Sequence, residues 1–144
     1  MLRKYIIIIL LILLALFSYS YFSVKSNTIN NESALRQDDK GMSVEDFTKK
    51  VSNPNRLVLV YFHADWCVPC VKLKPEIVAL ETESKEVCEV LKLDADENPK
   101  LSEYFEINTL PTFMMYKNGK KIWENNGYQS KQQLQAKIEA FSKN

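Results

Sequence analysis

The stretch Leu57-Val-Leu-Val-Tyr-Phe62-His-Ala-Asp-Trp-Cys67-Val-Pro-Cys70 decides how this chain folds. Its first six residues form an unbroken apolar, β-branched run after the turn signal Asn53-Pro-Asn55, which predicts a strand buried on both faces. From Val68 to about Ser84, Leu73, Ile77 and Leu80 recur at i, i+4 and i+7, the pattern of a helix with one apolar stripe. Pro75 lies inside that helix, where its missing N–H predicts a kink. Cys67 therefore falls just past the carboxyl end of a strand and at the start of a helix, where ligand chemistry concentrates in α/β sheets.

Working outward, Ser43-Val-Glu-Asp46 predicts a helix start with Ser43 as N-cap, running to about Val51. Val87 to Leu93 reads as a second strand, and Asp94-Ala-Asp-Glu-Asn-Pro99 leads into a short helix with Pro99 at its first position. Thr112–Lys117 and Lys120–Asn125 flank Asn118-Gly119, a two-residue hairpin signal. A last helix over Ser130–Ser142 carries Leu134, Ile138 and Phe141 on one stripe. Strands alternating with helices predict parallel pairing first, and the closing hairpin adds an antiparallel pair. The expected fold class is α/β, a mixed central sheet flanked by helices.

Ahead of this domain, which is expected over residues 41–144, the composition changes. Of the 144 residues 46% are hydrophobic, but 18 of the first 22 are apolar. About eighteen residues at ~1.5 Å each reach ~27 Å, close to the ~30 Å hydrocarbon thickness, so residues 1–22 are expected as a transmembrane signal anchor. A cleaved signal peptide is the alternative, although Ser18-Tyr-Ser20 fits its small-residue cleavage pattern poorly, and Tyr19, Tyr21 and Phe22 suit a membrane–water boundary. Arg3 and Lys4 outweigh Lys25, which orients the N-terminus to the cytoplasm and the rest outside it. Residues 23–40 are polar and without sustained periodicity, a tether.

Composition also excludes. Three glycines, Gly41, Gly119 and Gly127, are too scattered to write a phosphate-cradling loop or a dinucleotide fingerprint. One histidine, His63, excludes a multi-histidine metal site. The totals of 19 basic and 18 acidic residues imply no nucleic-acid partner.

Three cysteines remain, two spaced Cys67-x-x-Cys70. Only the thiolate of a cysteine is nucleophilic, and the unpaired N–H groups of a helix start lower a thiol pKa from ~8.5 into the ~3.5–7.5 range. Cys67 sits where that field is strongest. Cys70, one turn on, is spaced to attack the sulfur that bridges Cys67 to a substrate. Pro69 fixes φ in the first turn at little cost and restricts the loop. Two other readings stay open at this point. Half of a zinc site would need two further ligands, with only Cys88 and His63 to supply them. A purely structural disulfide would leave Trp66 and Pro69 unexplained.

Over about Val44 to Phe141 the chain resembles the thioredoxin family, through Trp66-Cys67-Val-Pro69-Cys70, Thr109-Leu-Pro111-Thr112, Asn118-Gly119 and Gly127 in family order and spacing. The resemblance implies a thioredoxin fold and a thiol–disulfide oxidoreductase in which Cys67 attacks and Cys70 resolves. It implies a cis Pro111 opposite the disulfide, with Leu110 offering backbone hydrogen bonds to an extended peptide and Trp66 packing beside the site. Where many family members place a buried aspartate, six residues before the first cysteine, this chain has Tyr61, a phenol and a poor base at neutral pH. Lys92, matching that aspartate's usual neighbour, is retained, so proton transfer from Cys70 is expected to fall to water, Asp65 or Lys92. Asp65 also reads as a solvated loop carboxylate, and His63 as a strand-end residue packed at the surface rather than a catalytic group. Cys88 is expected to be a reduced, semi-buried thiol, with a mixed disulfide to a partner as the alternative.

The expected activity is reduction or exchange of disulfides in extracytoplasmic proteins by a monomer. It needs no metal and no cofactor beyond the Cys67–Cys70 couple, and as a reductant it needs a membrane electron donor. The stretch Ala64-Asp-Trp-Cys-Val68 also resembles the electron-delivering end domain of bacterial transmembrane thiol reductases. Two alternatives are a peptide-binding or holdase module on the same fold, and a cytochrome-maturation reductase, whose extra insertion this minimal domain lacks.

Overall fold

Strand β1 (Leu57–His63) lies inside a four-stranded sheet because both of its faces are apolar. Leu57, Leu59 and Tyr61 point to one side and Val58, Val60 and Phe62 to the other, and all six are buried. Each face has its own core. Helices α2 (Val68–Ser84) and α4 (Lys131–Ser142) cover the first with Leu73, Ile77, Leu80, Leu134 and Ile138. Helices α1 (Val44–Val51) and α3 (Pro99–Tyr104) cover the second with Phe47, Val51 and Leu101.

This computed structural model describes residues 13–18 and 41–143. The chain divides into two units, Met1–Asp39 and Lys40–Asn144, each taken by itself. Of the first, only 13–18 is described, as helix with exposed side chains. The anchor expected over 1–22 otherwise lies outside the described residues, as does the tether over 23–40. Among the described residues no helix is long and apolar enough to cross a membrane.

The sheet order is β2-β1-β3-β4, with β2 (Cys88–Asp94), β3 (Thr112–Lys117) and β4 (Lys120–Asn126). Strands β1 and β2 run parallel in a register that pairs Leu57 with Cys88 and His63 with Asp94. Strands β1 and β3, and β3 and β4, are antiparallel, so the sheet is mixed. Asn118 and Gly119 both have positive φ, 52° and 76°, as a tight hairpin turn matching strand twist requires. The second strand starts one residue later than its apolar run suggests. Val87 is spent on the turn after α2, its N–H donating to Ser84 and its carbonyl accepting from Leu57. Ser43 caps α1 as expected, and Ser130 caps α4 through a reciprocal pair with Gln133.

Candidate redox site

Cys67 is the N-cap of α2, in extended conformation, with Val68 and Pro69 filling the first two helical positions. Its N–H donates to the Ala64 carbonyl at 3.2 Å, its carbonyl accepts from Val71 N–H at 3.0 Å, and its Sγ accepts from the Cys70 N–H at 3.3 Å. Cys67 and Cys70 are joined as a disulfide with their Cα atoms 5.2 Å apart, and both are buried. The first turn of α2 holds no acidic side chain. The nearby Asp65 carboxylate is taken up by Lys74 Nζ at 2.8 Å, and that hydrogen bond holds its carboxyl below the usual range. The positive end of the helix thus acts on the sulfur of Cys67 with little opposing charge.

Trp66 is 68% exposed and stands at the rim of the site, its indole N–H donating to Asp96 Oδ2 at 2.9 Å. Between it and the segment before β3 lies a groove of about 350 Å³, lined by Trp66, Asp96, Ile107, Thr109 and Leu110. The Leu110–Pro111 peptide is cis. Pro111 is buried, and its carbonyl accepts from Gly127 N–H at 2.8 Å. Sequence reasoning missed Asp96 and Glu81: no periodicity pairs an indole with a carboxylate thirty residues on, or Lys92 with a helix.

Beneath the disulfide, the buried Tyr61 ring stacks on Phe113 at 5.0 Å, and its hydroxyl donates to the Cys70 carbonyl at 3.5 Å. Burial pushes this phenol up to about 12, so it keeps its own proton at rest at neutral pH. Lys92, a candidate for proton transfer, is bound to Glu81 at 2.5 Å. His63 ends β1 with its side chain largely buried, and Nδ1 has no hydrogen-bond partner. Burial pushes this imidazole below its usual value, against the pull of Asp94.

Cys88 lies at the other end of the sheet, opposite Leu57, and is more deeply buried than expected, with 1% exposed. Burial pushes its thiol up to about 12. Among the described residues no group of three or more His, Cys, Asp or Glu side chains is arranged to hold a metal ion.

The family model described as Thioredoxin matches residues 40–140. A thioredoxin of Rickettsia felis is 40% identical over 88 residues, 61% of this chain and 84% of that protein. A thioredoxin of Chlamydia trachomatis is 34% identical over 93 residues, covering 65% and 88%. Among solved structures, a thioredoxin from Trypanosoma brucei brucei superposes with a TM-score of 0.64 at 27% identity, covering 71% of this chain and 88% of that one. A mutant thioredoxin from Halobacterium salinarum gives 0.61 at 29%, covering 70% and 87%.

Proposed function

The chain belongs to the thioredoxin family and is a thiol–disulfide oxidoreductase, and from this premise we propose that it reduces disulfides of proteins outside the cytoplasm, with Cys67 attacking and Cys70 resolving. The observation that carries these roles is the placement of Cys67 Sγ at the helix start, accepting from the Cys70 N–H. In the dithiol form those donors favour the Cys67 thiolate. The thiolate attacks a substrate disulfide, a Cys67–substrate S–S bond forms, and one substrate sulfur leaves as thiolate and is protonated. Cys70 then loses its proton and attacks Cys67 Sγ. The second substrate sulfur leaves with the bonding pair, and the Cys67–Cys70 disulfide remains. Two electrons have passed to the substrate. The groove beside Trp66 and Leu110 receives the peptide, and Pro111 lies beneath that wall.

The apolar run over residues 1–22, with Arg3 and Lys4 ahead of it, supports an N-terminal anchor that keeps the domain on the far side of the membrane. A reductant in an oxidising compartment needs electrons resupplied, so its partners are disulfide-bearing proteins and a membrane thiol donor. The test is insulin reduction by the full-length protein with dithiothreitol as donor, together with redox titration of the pair. Accelerated reduction lost in Cys67→Ser is expected; no activity and no titratable Cys67–Cys70 couple overturns the reading. In intact cells, a membrane-impermeant maleimide should label reduced Cys67 without permeabilisation. Labelling only after permeabilisation overturns the placement. Retention of in-cell function by Cys67→Ser would favour peptide binding over catalysis.

A further inference from the structure

The resolving step has to place a proton. Cys70 is fully buried, and the groups around it are mostly committed. The Tyr61 phenol is neutral, Asp65 is held by Lys74, and Lys92 by Glu81. His63 is not committed. Among the described residues its Nδ1 is the one buried side-chain nitrogen or oxygen without a hydrogen-bond partner, and such an atom calls for an explanation.

We propose that His63 accepts the Cys70 proton during resolution, oriented by Asp94 and acting across Tyr61. This rests on the reading of Cys70 as the resolving thiol. Tyr61 and His63 are two apart on β1 and share the face that α2 covers, their ring centroids 5.1 Å apart. The Tyr61 hydroxyl reaches the backbone carbonyl of Cys70 at 3.5 Å, and both rings open on a cavity of about 210 Å³ with Lys74, Ile77 and Lys92. Parallel pairing sets His63 beside Asp94, whose Oδ2 lies 3.8 Å from Nδ1. Asp94 Oδ1 is fixed by the N–H groups of Asp96 and Glu97. At 3.8 Å the pair attracts without bonding, and contacts of this kind tighten as charge develops. With Nδ1 turned to Asp94, Nε2 accepts. As Cys70 S–H breaks, the Cys67–Cys70 bond forms, the substrate sulfur departs with its electron pair, and the proton is handed on by the Tyr61 hydroxyl, which takes it as it gives its own to His63 Nε2, before passing to solvent.

The charged groups facing His63 come from every side. Asp94 and Asp65 favour the imidazolium, while Lys74 on α2 and Lys92 on β2 oppose it. Burial outweighs them, so the ring is neutral at neutral pH and free to accept. His63 does not touch the sulfur, so it positions and receives a proton rather than bonding to substrate.

The experiment uses the full-length, reduced protein and a chromogenic aromatic disulfide, dithiobis-nitrobenzoate. The first thiolate released reports Cys67 attack and the second reports resolution by Cys70. His63 is the only histidine, so its ring signals in NMR give its titration directly. In the wild type, the ratio of second to first release rate should fall at acid pH with an inflection at the His63 value, below 6.5. His63→Gln should lower that ratio about 10- to 100-fold at pH 7 and abolish the inflection, and Asp94→Asn should lower it less. An unchanged ratio and profile in His63→Gln overturns the proposal. If that variant fails to fold, the wild type decides, since an acid limb that does not coincide with the His63 titration overturns it equally. Absence of any second release in the wild type would instead sink the resolving role of Cys70.

Discussion

The indole N–H of Trp66 donates to the Asp96 carboxylate at 2.9 Å, tying the loop that carries the disulfide to the loop that follows β2. Both groups are exposed, so the bond adds little to stability. Its effect is to hold in shape the Trp66 wall of the groove, which faces Leu110 and Ile107. Asp96→Ala should raise KM for insulin about two- to fivefold, consistent with about 1 kcal/mol or less, with kcat and Tm nearly unchanged. An unaltered KM contradicts this.

Helix α2 separates positions that look alike in the sequence. Leu73 is fully buried against the first face of the sheet and Val71, two residues earlier, is 47% exposed. Leu73→Ala should cost about 2–5 kcal/mol by urea unfolding, and Val71→Ala less than about 0.5 kcal/mol. Similar losses at both positions would contradict the placement of α2.

Alkaline pH should weaken the fold. Burial pushes the Cys88 thiol up to about 12 from an ordinary 9.0, and the Tyr61 and Tyr116 phenols up to about 12 from 10.0. The unfolded chain ionises these groups near their ordinary values while the folded chain keeps them neutral. The stability they contribute is therefore complete below about pH 9 and is lost as pH rises toward 12. Tm should hold up to about pH 9 and fall beyond it, and iodoacetamide at pH 8 should label Cys88 only after denaturation. A flat Tm across that range, or labelling of Cys88 in the folded protein, would contradict this.

Gly41 has φ of +97°, and a Cβ there would press on the Glu97 carbonyl and on Asn98. Gly41→Ala should cost about 1–3 kcal/mol and weaken the bond from Met42 N–H to Asn98 Oδ1. Amide exchange at Met42 and the urea midpoint report the two effects, and neither should change if another backbone path is open.

Local patterns made much of this fold legible. The double-sided apolar run of β1, the Leu73, Ile77 and Leu80 stripe and the Asn118-Gly119 turn each bring their own physical cause, and each forms within a few residues. The helix start at Cys67 follows from the same local logic. The partners did not follow, because they are set by packing across distant segments. Asp94 meets His63 only through parallel register, Glu81 meets Lys92 only once α2 lies on β2, and Asp96 meets Trp66 only when two loops close. Trp66 stays in water at the rim because a carboxylate lies within reach of its indole N–H.

The hydrogen bond from Met42 to Asn98 fixes where the polypeptide enters the domain, at the carboxyl end of β1 and β2, the end of the sheet that also carries the cysteines. The last helix ends at the opposite pole, where Lys117 Nζ donates to the Phe141 carbonyl and Ser142 shares a cavity with Arg56. Cargo fused ahead of Gly41 would therefore crowd incoming substrates, whereas a fluorophore or surface linkage at Lys143 would leave them unobstructed.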